Sequence, residues 1–258
     1  MPTNTYYKFI QVDSPRRMRL LSIESHSHIK TIGILKIALK TITSVHVGSG
    51  DFSTYKNLPL SLNAKNSDGE LIIPGSTLKG VTSHYHLAVY GKQEKTSGLF
   101  GFSGYMSRAL FKDAIPEAPF EPVYEKVGPS WRPRIRKLGF IKVYRTDIPR
   151  SNSTPVLALE CIPSNTILTT EIIVVNTSEE ELAEILLALG YSIDGIILLG
   201  YGKPKGLGKI KIIQAVAKIA TGTNIIRGEM KCIDLKRELE ELKAKYKLRL
   251  KEVFNVEL

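Results

Sequence analysis

Cysteine is scarce: Cys161 and Cys232 are the only two in 258 residues, far apart and in no CxxC pair. That count excludes a disulfide scaffold and a zinc site built from cysteines. Long apolar runs are missing as well. Stretches such as Ile172–Val175 and Ile196–Leu199 fall far short of the roughly 20 residues that span a bilayer. The opening MPTNTYYKFIQVDSPRRMR is polar and interrupted by Pro15, with no charged-then-apolar leader. The expectation is a cytoplasmic protein with no membrane partner. No G-x-S-x-G, HExxH or catalytic-cysteine signature occurs, and no glycine pattern has the spacing of a dinucleotide fingerprint or a phosphate loop. Acidic residues are in deficit: 25 Asp and Glu face 36 Lys and Arg, a formal charge of +11. Such an excess favours a polyanionic partner. What the chain does have is ordinary for a folded protein, with 43% apolar and 24% charged residues.

Residues 1–30 read as an extension without sustained periodicity, so regular structure is expected from Thr31. In GILKIALKTITSVHVG, apolar residues alternate through Leu35, Ile37, Leu39, Ile42, Val45 and Val47 with one slip in phase. That pattern predicts a long strand with a bulge near Thr41. Residues 51–70 read as a polar loop. LIIPGSTLKGVTSHYHLAVYG then predicts a short strand, a Pro-Gly break and a helix capped by Ser76 or Thr77 and stopped at Gly91. An insert over 92–156 shows little pattern beyond a strand at Ser107–Lys112. ILTTEIIVV is a clear strand and SEEELAEILLALG a clear helix with carboxylates at its positive end. GIILL and KIKIIQAVAKI predict two further strands, and the region 221–258 a single charged helix from Asp234 to about Phe254. The core, 31–220, therefore has the outline of an α+β, ferredoxin-like or RRM-like antiparallel sheet with inserted elements.

Three segments carry candidate chemistry. In GYGKPKGLGKIKI, Gly200, Gly202, Gly206 and Gly208 surround Lys203, Lys205 and Lys209. Glycine lets backbone amides approach a phosphate and lysine supplies charge; a tight turn with solvated lysines is the plainer alternative. In IPGSTLKG, a helix start offering Ser76, Lys79 and Gly80 suits an anion, although capping alone also explains the serine. From Trp131 to Arg150, Arg132, Arg134, Arg136, Lys137, Lys142, Arg145 and Arg150 face only Asp147. With Trp131, Phe140 and Tyr144 interleaved, this is the composition of a strip for single-stranded nucleic acid. His84 and His86 would point about 200° apart on a helix and so do not share a metal. His46 stands at a strand end beside Gly48-Ser49-Gly50-Asp51. Asp51 and Asp113 are the acids to watch, with a side-chain turn as the simpler role for Asp51.

Taken in order, VHVGSGD, LIIPGSTLKG, LFGFSGYMSRALFKDA and GYGKPKGLGKIKI resemble the RAMP superfamily of CRISPR-associated proteins, and most closely the backbone subunits of type III effector complexes. The resemblance covers about residues 31–215. It implies an RRM-like core with palm and thumb elements, stacked head to tail with other RAMP subunits along a CRISPR RNA and acting against a target RNA. It implies guide contacts at Ser76, Lys79 and Gly80 and at Gly202, Lys203, Lys205 and Gly206, with His46, Gly48, Ser49, Arg132, Arg134, Arg136 and Arg145 as further RNA-binding candidates. In cleaving members, a loop aspartate cuts target RNA with a divalent metal, Mg or Mn. Here Asn57, before Leu58-Pro59, stands nearest that position and Asp51 lies earlier in the same loop, so Asp51 is the catalytic candidate. No protein-built metal site is expected. The alternatives are a non-catalytic or end-capping RAMP subunit, and a standalone CRISPR RNA-processing endoribonuclease using His26, His28 or His46.

Overall fold

The computed structural model describes residues 6–13, 28–129, 137–149 and 153–257. Regular structure begins earlier than Thr31, with β1 (Tyr7–Gln11). β2 (Thr31–Thr41), β3 (Gly48–Tyr55) and β4 (Leu58–Asn63) precede the helices α1 (Gly75–Tyr90) and α2 (Gln93–Phe100). The strands β5 (Ala109–Phe111), β6 (Ile115–Pro116), β7 (Val123–Val127), β8 (Phe140–Tyr144), β9 (Leu157–Cys161) and β10 (Ile167–Val175) lead to α3 (Glu179–Ala188). Then come β11 (Ile197–Leu198), β12 (Lys209–Thr221), α4 (Thr223–Arg227), β13 (Lys231–Ile233), α5 (Lys236–Lys245) and α6 (Lys247–Phe254).

The architecture is α+β, with three sheets among the described residues. The central sheet runs β11-β12-β2-β10-β5, all antiparallel, with β13 beside β12 and β6 beside β10. Alternation in β2 explains its place at the centre: Leu35, Ile37 and Leu39 are buried on one face, while Lys36 on the other pairs with Glu171. β2 is unbroken to Thr41, where its hydroxyl donates to the Pro163 carbonyl at 2.6 Å. The expected bulge near Thr41 is absent, and the phase slip in the sequence marks the strand's end. The irregularity lies across the ladder in β12, between Ile212 and Gln214.

α1 and α3 cover the buried face. α1 starts at Gly75, not at a serine or threonine cap. Pro74 occupies the cap position without a side-chain bond, and the Asp113 carboxylate accepts from the Gly75 amide at 2.7 Å. Glycine is required there because a β-carbon would stand 2.2 Å from the Phe111 carbonyl oxygen. Gly91 ends the helix at φ 70°, as its position predicts. α3 opens with a reciprocal capping box between Ser178 and Glu181.

The tail is two helices with a break at Tyr246 (φ −109°, ψ 17°), not one. They pack on the outer sides of α1 and α3 and bury Leu239, Leu242, Leu250 and Phe254. Phe254 stacks on Tyr85 with centroids 5.4 Å apart, and Tyr246 meets Tyr90 edge-on at 4.8 Å. Burying a phenylalanine this fully contributes on the order of 2–3 kcal/mol, so the tail belongs to the core.

A second sheet, β3-β4-β9-β7, replaces the expected loop over 51–70. β3 and β4 form a hairpin in which Tyr55 pairs with Leu58 across Lys56 (φ 47°) and Asn57 (φ 63°). Both turn residues are left-handed, the requirement of a type I′ turn, where asparagine is among the residues that adopt such angles most readily. The third sheet is the ribbon β1-β8, joining the N-terminal segment to the insert. No helix among the described residues is long and apolar enough to cross a membrane.

Candidate nucleic-acid interface

The glycine-rich loop is held against the segment that leaves β2. Tyr201 donates its amide to the His46 carbonyl at 2.9 Å, Gly208 to that of Ser44 at 2.9 Å, and Leu199 to that of Gly208 at 2.9 Å. Between them Lys203–Lys205 makes one 3-10 turn, flanked by Gly202 at φ 81° and Gly206 at φ 82°. Gly202 and Gly206 are buried, so they shape the loop and do not line its surface.

The two lysines of the turn, equivalent in sequence, part company in space. Lys205 is buried and its ammonium donates to the Gly128 and Pro129 carbonyls at 2.7 and 2.8 Å. It clamps the end of the β7 strand to the loop and is not a phosphate contact. The Lys203 ammonium donates to Gly200 O at 2.6 Å and faces a cavity; burial lowers its pKa from the ordinary lysine value.

That cavity, about 290 Å³, is lined by Thr77, Gly80 and His84 of α1, Lys142 and Tyr144 of β8, and Gly200 and Lys203 of the loop. Two cations and no carboxylate line it, which suits a phosphate. Gly80 has open space where a β-carbon would stand, leaving room for another backbone to approach. His84 fixes β8 beside α1: its Nε2–H donates to the Lys142 carbonyl at 2.8 Å. Burial lowers its pKa, and the Lys203 charge adds to that, so the ring is neutral at pH 7.

Other sequence candidates fall elsewhere. Ser76 and Lys79 are on α1 but outside the cavity lining, and the helix-start amide of Gly75 is already taken by Asp113. α1 thus faces the cavity with Thr77, Gly80 and His84, and not with its first amide. His46 is buried. Its Nδ1–H donates to the Glu160 carbonyl at 2.7 Å, and its Nε2 accepts from Ser61 at 3.1 Å. Burial lowers its pKa too, so this histidine ties β2 to β4 and β9 as a neutral ring. Arg145 is exposed but chelated by Asp147, at 2.9 and 2.5 Å. It lines a neighbouring cavity of about 300 Å³ with Tyr7, Lys8 and Asn255. Arg132, Arg134 and Arg136 lie outside the described residues, as do Trp131, Arg150 and His26.

Gly48, Ser49 and Asp51 are exposed on β3. The Ser49 hydroxyl donates to the Asp51 carboxylate at 3.1 Å and accepts from the Asp51 amide at 3.2 Å, a local side-chain turn. Among the described residues no group of three or more His, Cys, Asp or Glu side chains is placed to hold a metal ion. Asp51 stands as a single exposed carboxylate engaged with Ser49.

Sequence reasoning placed Lys142 and Tyr144 in a basic strip but did not bring them to the glycine loop, and it set His84 aside. The i, i+2 spacing of Lys142 and Tyr144 in FIKVY was the available signal for a shared strand face.

On an α+β scaffold the described residues thus present a carboxylate-free lysine cavity beside a glycine-rich loop. A family comparison narrows this: the model of the RAMP superfamily matches residues 38–211, two thirds of the chain, and the protein belongs to that superfamily. It is therefore a CRISPR-associated protein, which implies binding of CRISPR RNA. No curated protein matches the chain.

Proposed function

We propose that the chain is a guide-holding backbone subunit of a type III interference complex, and that it holds CRISPR RNA without cutting the target. The observation that carries the binding half is the cavity between Gly80 and Gly200, with Lys142 and Lys203 and no acid in its lining. In this reading Lys203 and Lys142 neutralise guide phosphates, and the guide backbone passes over Gly80. The strand order β12-β2-β10-β5, with α1 after β2 and α3 after β10, supports a ferredoxin-like, RRM-like core beneath that path. The match over 38–211 supports a place among other RAMP subunits, stacked along one guide and opposed to a target RNA.

The non-cutting half rests on the hairpin. Asn57, nearest the position of the family's acid, occupies a left-handed turn site, and Asp51 is engaged with Ser49. A processing role through histidine is not favoured by His46, which is buried and bonded at both nitrogens.

The test of binding is affinity for single-stranded RNA measured across salt concentration. Each phosphate contact releases counterions, so log K should fall linearly with log salt, by roughly 0.7 per contact. An affinity that does not change between low and moderate salt contradicts the proposal.

A further inference from the structure

The ribbon β1-β8 has an outward face made of aromatic rings and lysines. Its register pairs Tyr7 with Tyr144, Phe9 with Lys142 and Gln11 with Phe140, so these six side chains share one face. The opposite face carries Ile10 and Val143, both buried in the core, which turns the aromatic face away from it. All four rings are half-buried and meet edge-on: Tyr7 with Phe9 at 5.3 Å, Tyr7 with Tyr144 at 6.1 Å and Phe9 with Phe140 at 6.5 Å. Two ammonium groups rest over ring faces, Lys142 over Tyr7 at 4.1 Å and Lys137 over Phe140 at 3.8 Å. None of the six positions is acidic. Half of the face comes from β1, which lies outside the residues matched by the family model.

We infer that this ribbon face is a stacking platform for unpaired RNA bases, continuous with the phosphate cavity. The inference rests on the RNA-binding reading above and extends it to the N-terminal segment. Continuity is direct, because Lys142 and Tyr144 belong both to the ribbon face and to the cavity lining. Strand geometry sets the kind of occupant. Side chains two residues apart on one strand face stand roughly 6.8 Å apart, about twice the 3.4 Å rise per base of a stacked helix. Bases seated on successive rings are therefore splayed, which selects single-stranded RNA over duplex. Ring faces accept any base, so this platform grips without reading sequence. The lysines supply the exchange: when a phosphate draws Lys142 or Lys137 away, the ring beneath is freed for a base.

The test uses the full-length chain and a single-stranded RNA oligonucleotide carrying 2-aminopurine, whose fluorescence responds to stacking. The platform predicts a fluorescence change on binding to the wild-type chain. Tyr7→Leu with Phe9→Leu, which keeps bulk but removes the rings, should abolish much of that change and weaken affinity about tenfold or more. Its salt slope should stay at the wild-type value, because no phosphate contact is lost. Tyr7→Phe with Phe9→Tyr, which keeps both rings, should bind like the wild type. If the leucine variant melts early, Phe140→Leu on the opposite strand serves in its place. Affinity within twofold of wild type in the leucine variants, while Lys203→Ala still lowers the salt slope, overturns the platform and leaves the phosphate cavity standing. Absence of RNA binding by the wild-type chain overturns both.

Discussion

A β-carbon on Gly200 would stand 2.2 Å from the carbonyl oxygen of His46, the same oxygen that accepts the Tyr201 amide. The glycine-rich loop is thus pressed onto the backbone leaving β2, and its position over the cavity depends on having no side chain there. Gly200 also sits at φ 71°, where other residues are strained. Gly200→Ala should cost at least about 2 kcal/mol and lower the melting temperature by roughly 4–8 °C. RNA affinity should fall with it, because the loop carries Lys203. Thermal melting and an RNA titration of the variant check this; a wild-type melt would contradict the account.

Lys203 and Lys205 should separate in their effects. Lys203→Ala removes a cavity cation, so the slope of log K against log salt should shrink by about 0.7 while stability barely changes. Lys205→Ala leaves the Gly128 and Pro129 carbonyls without their donor, at a cost of roughly 1–3 kcal/mol, with the salt slope intact. Paired salt titrations and melts of the two variants give the answer.

Acid should destabilise the fold through a buried cluster between α1 and α3. His86 and Glu184 lie 3.5 Å apart, with the Lys95 ammonium on the carboxylate, Thr96 on the imidazole and Tyr90, Glu180 and Glu181 nearby. Burial lowers the His86 pKa from its ordinary 6.5 despite the Glu184 carboxylate. For Glu184 burial pushes upward, but the adjacent His86 imidazole and the Lys95 ammonium prevail and hold it below its ordinary value. Both folded pKa values are depressed, so the unfolded chain binds more protons below pH 6.5 and stability falls as pH falls. One such proton is about 1.4 kcal/mol per pH unit, or roughly 3–6 °C in melting temperature. Melting curves from pH 7 to pH 5 should show that slope, and His86→Gln should flatten it.

Asp51→Ala should leave RNA binding unchanged and produce no difference in target RNA fragments with magnesium or manganese present. Asn57→Ala should cost about 1 kcal/mol, because alanine fits the left-handed turn site less well. Regularly spaced target fragments that vanish in Asp51→Ala would show that the subunit cuts.

The sequence made the central sheet legible where periodicity was strong. ILTTEIIVV is the strand β10 to the residue, Ser178 caps α3, and Gly91 stops α1. The β3-β4 hairpin was hidden because GSGDFSTY is exposed or half-exposed throughout and carries no alternation to read. The β1-β8 ribbon was hidden for another reason: its strands pair across about 130 residues, and each is short. At the candidate site, charge and glycine singled out the loop that the structure folds beside the cavity. The direction of each side chain was not legible, since Lys203 and Lys205 differ only in what the folded chain puts beside them. Asp113 was noticed as an acid, but its partner, the Gly75 amide, is 38 residues away.

The central claim is that this subunit holds a guide. The most direct measurement is to purify the protein with the complex it assembles into, extract the bound nucleic acid and size it. The account predicts a discrete guide-length RNA carrying a repeat-derived tag, depleted when Lys142→Ala and Lys203→Ala are combined. An assembled complex that carries no RNA, or RNA retained in full by the double variant, would contradict it.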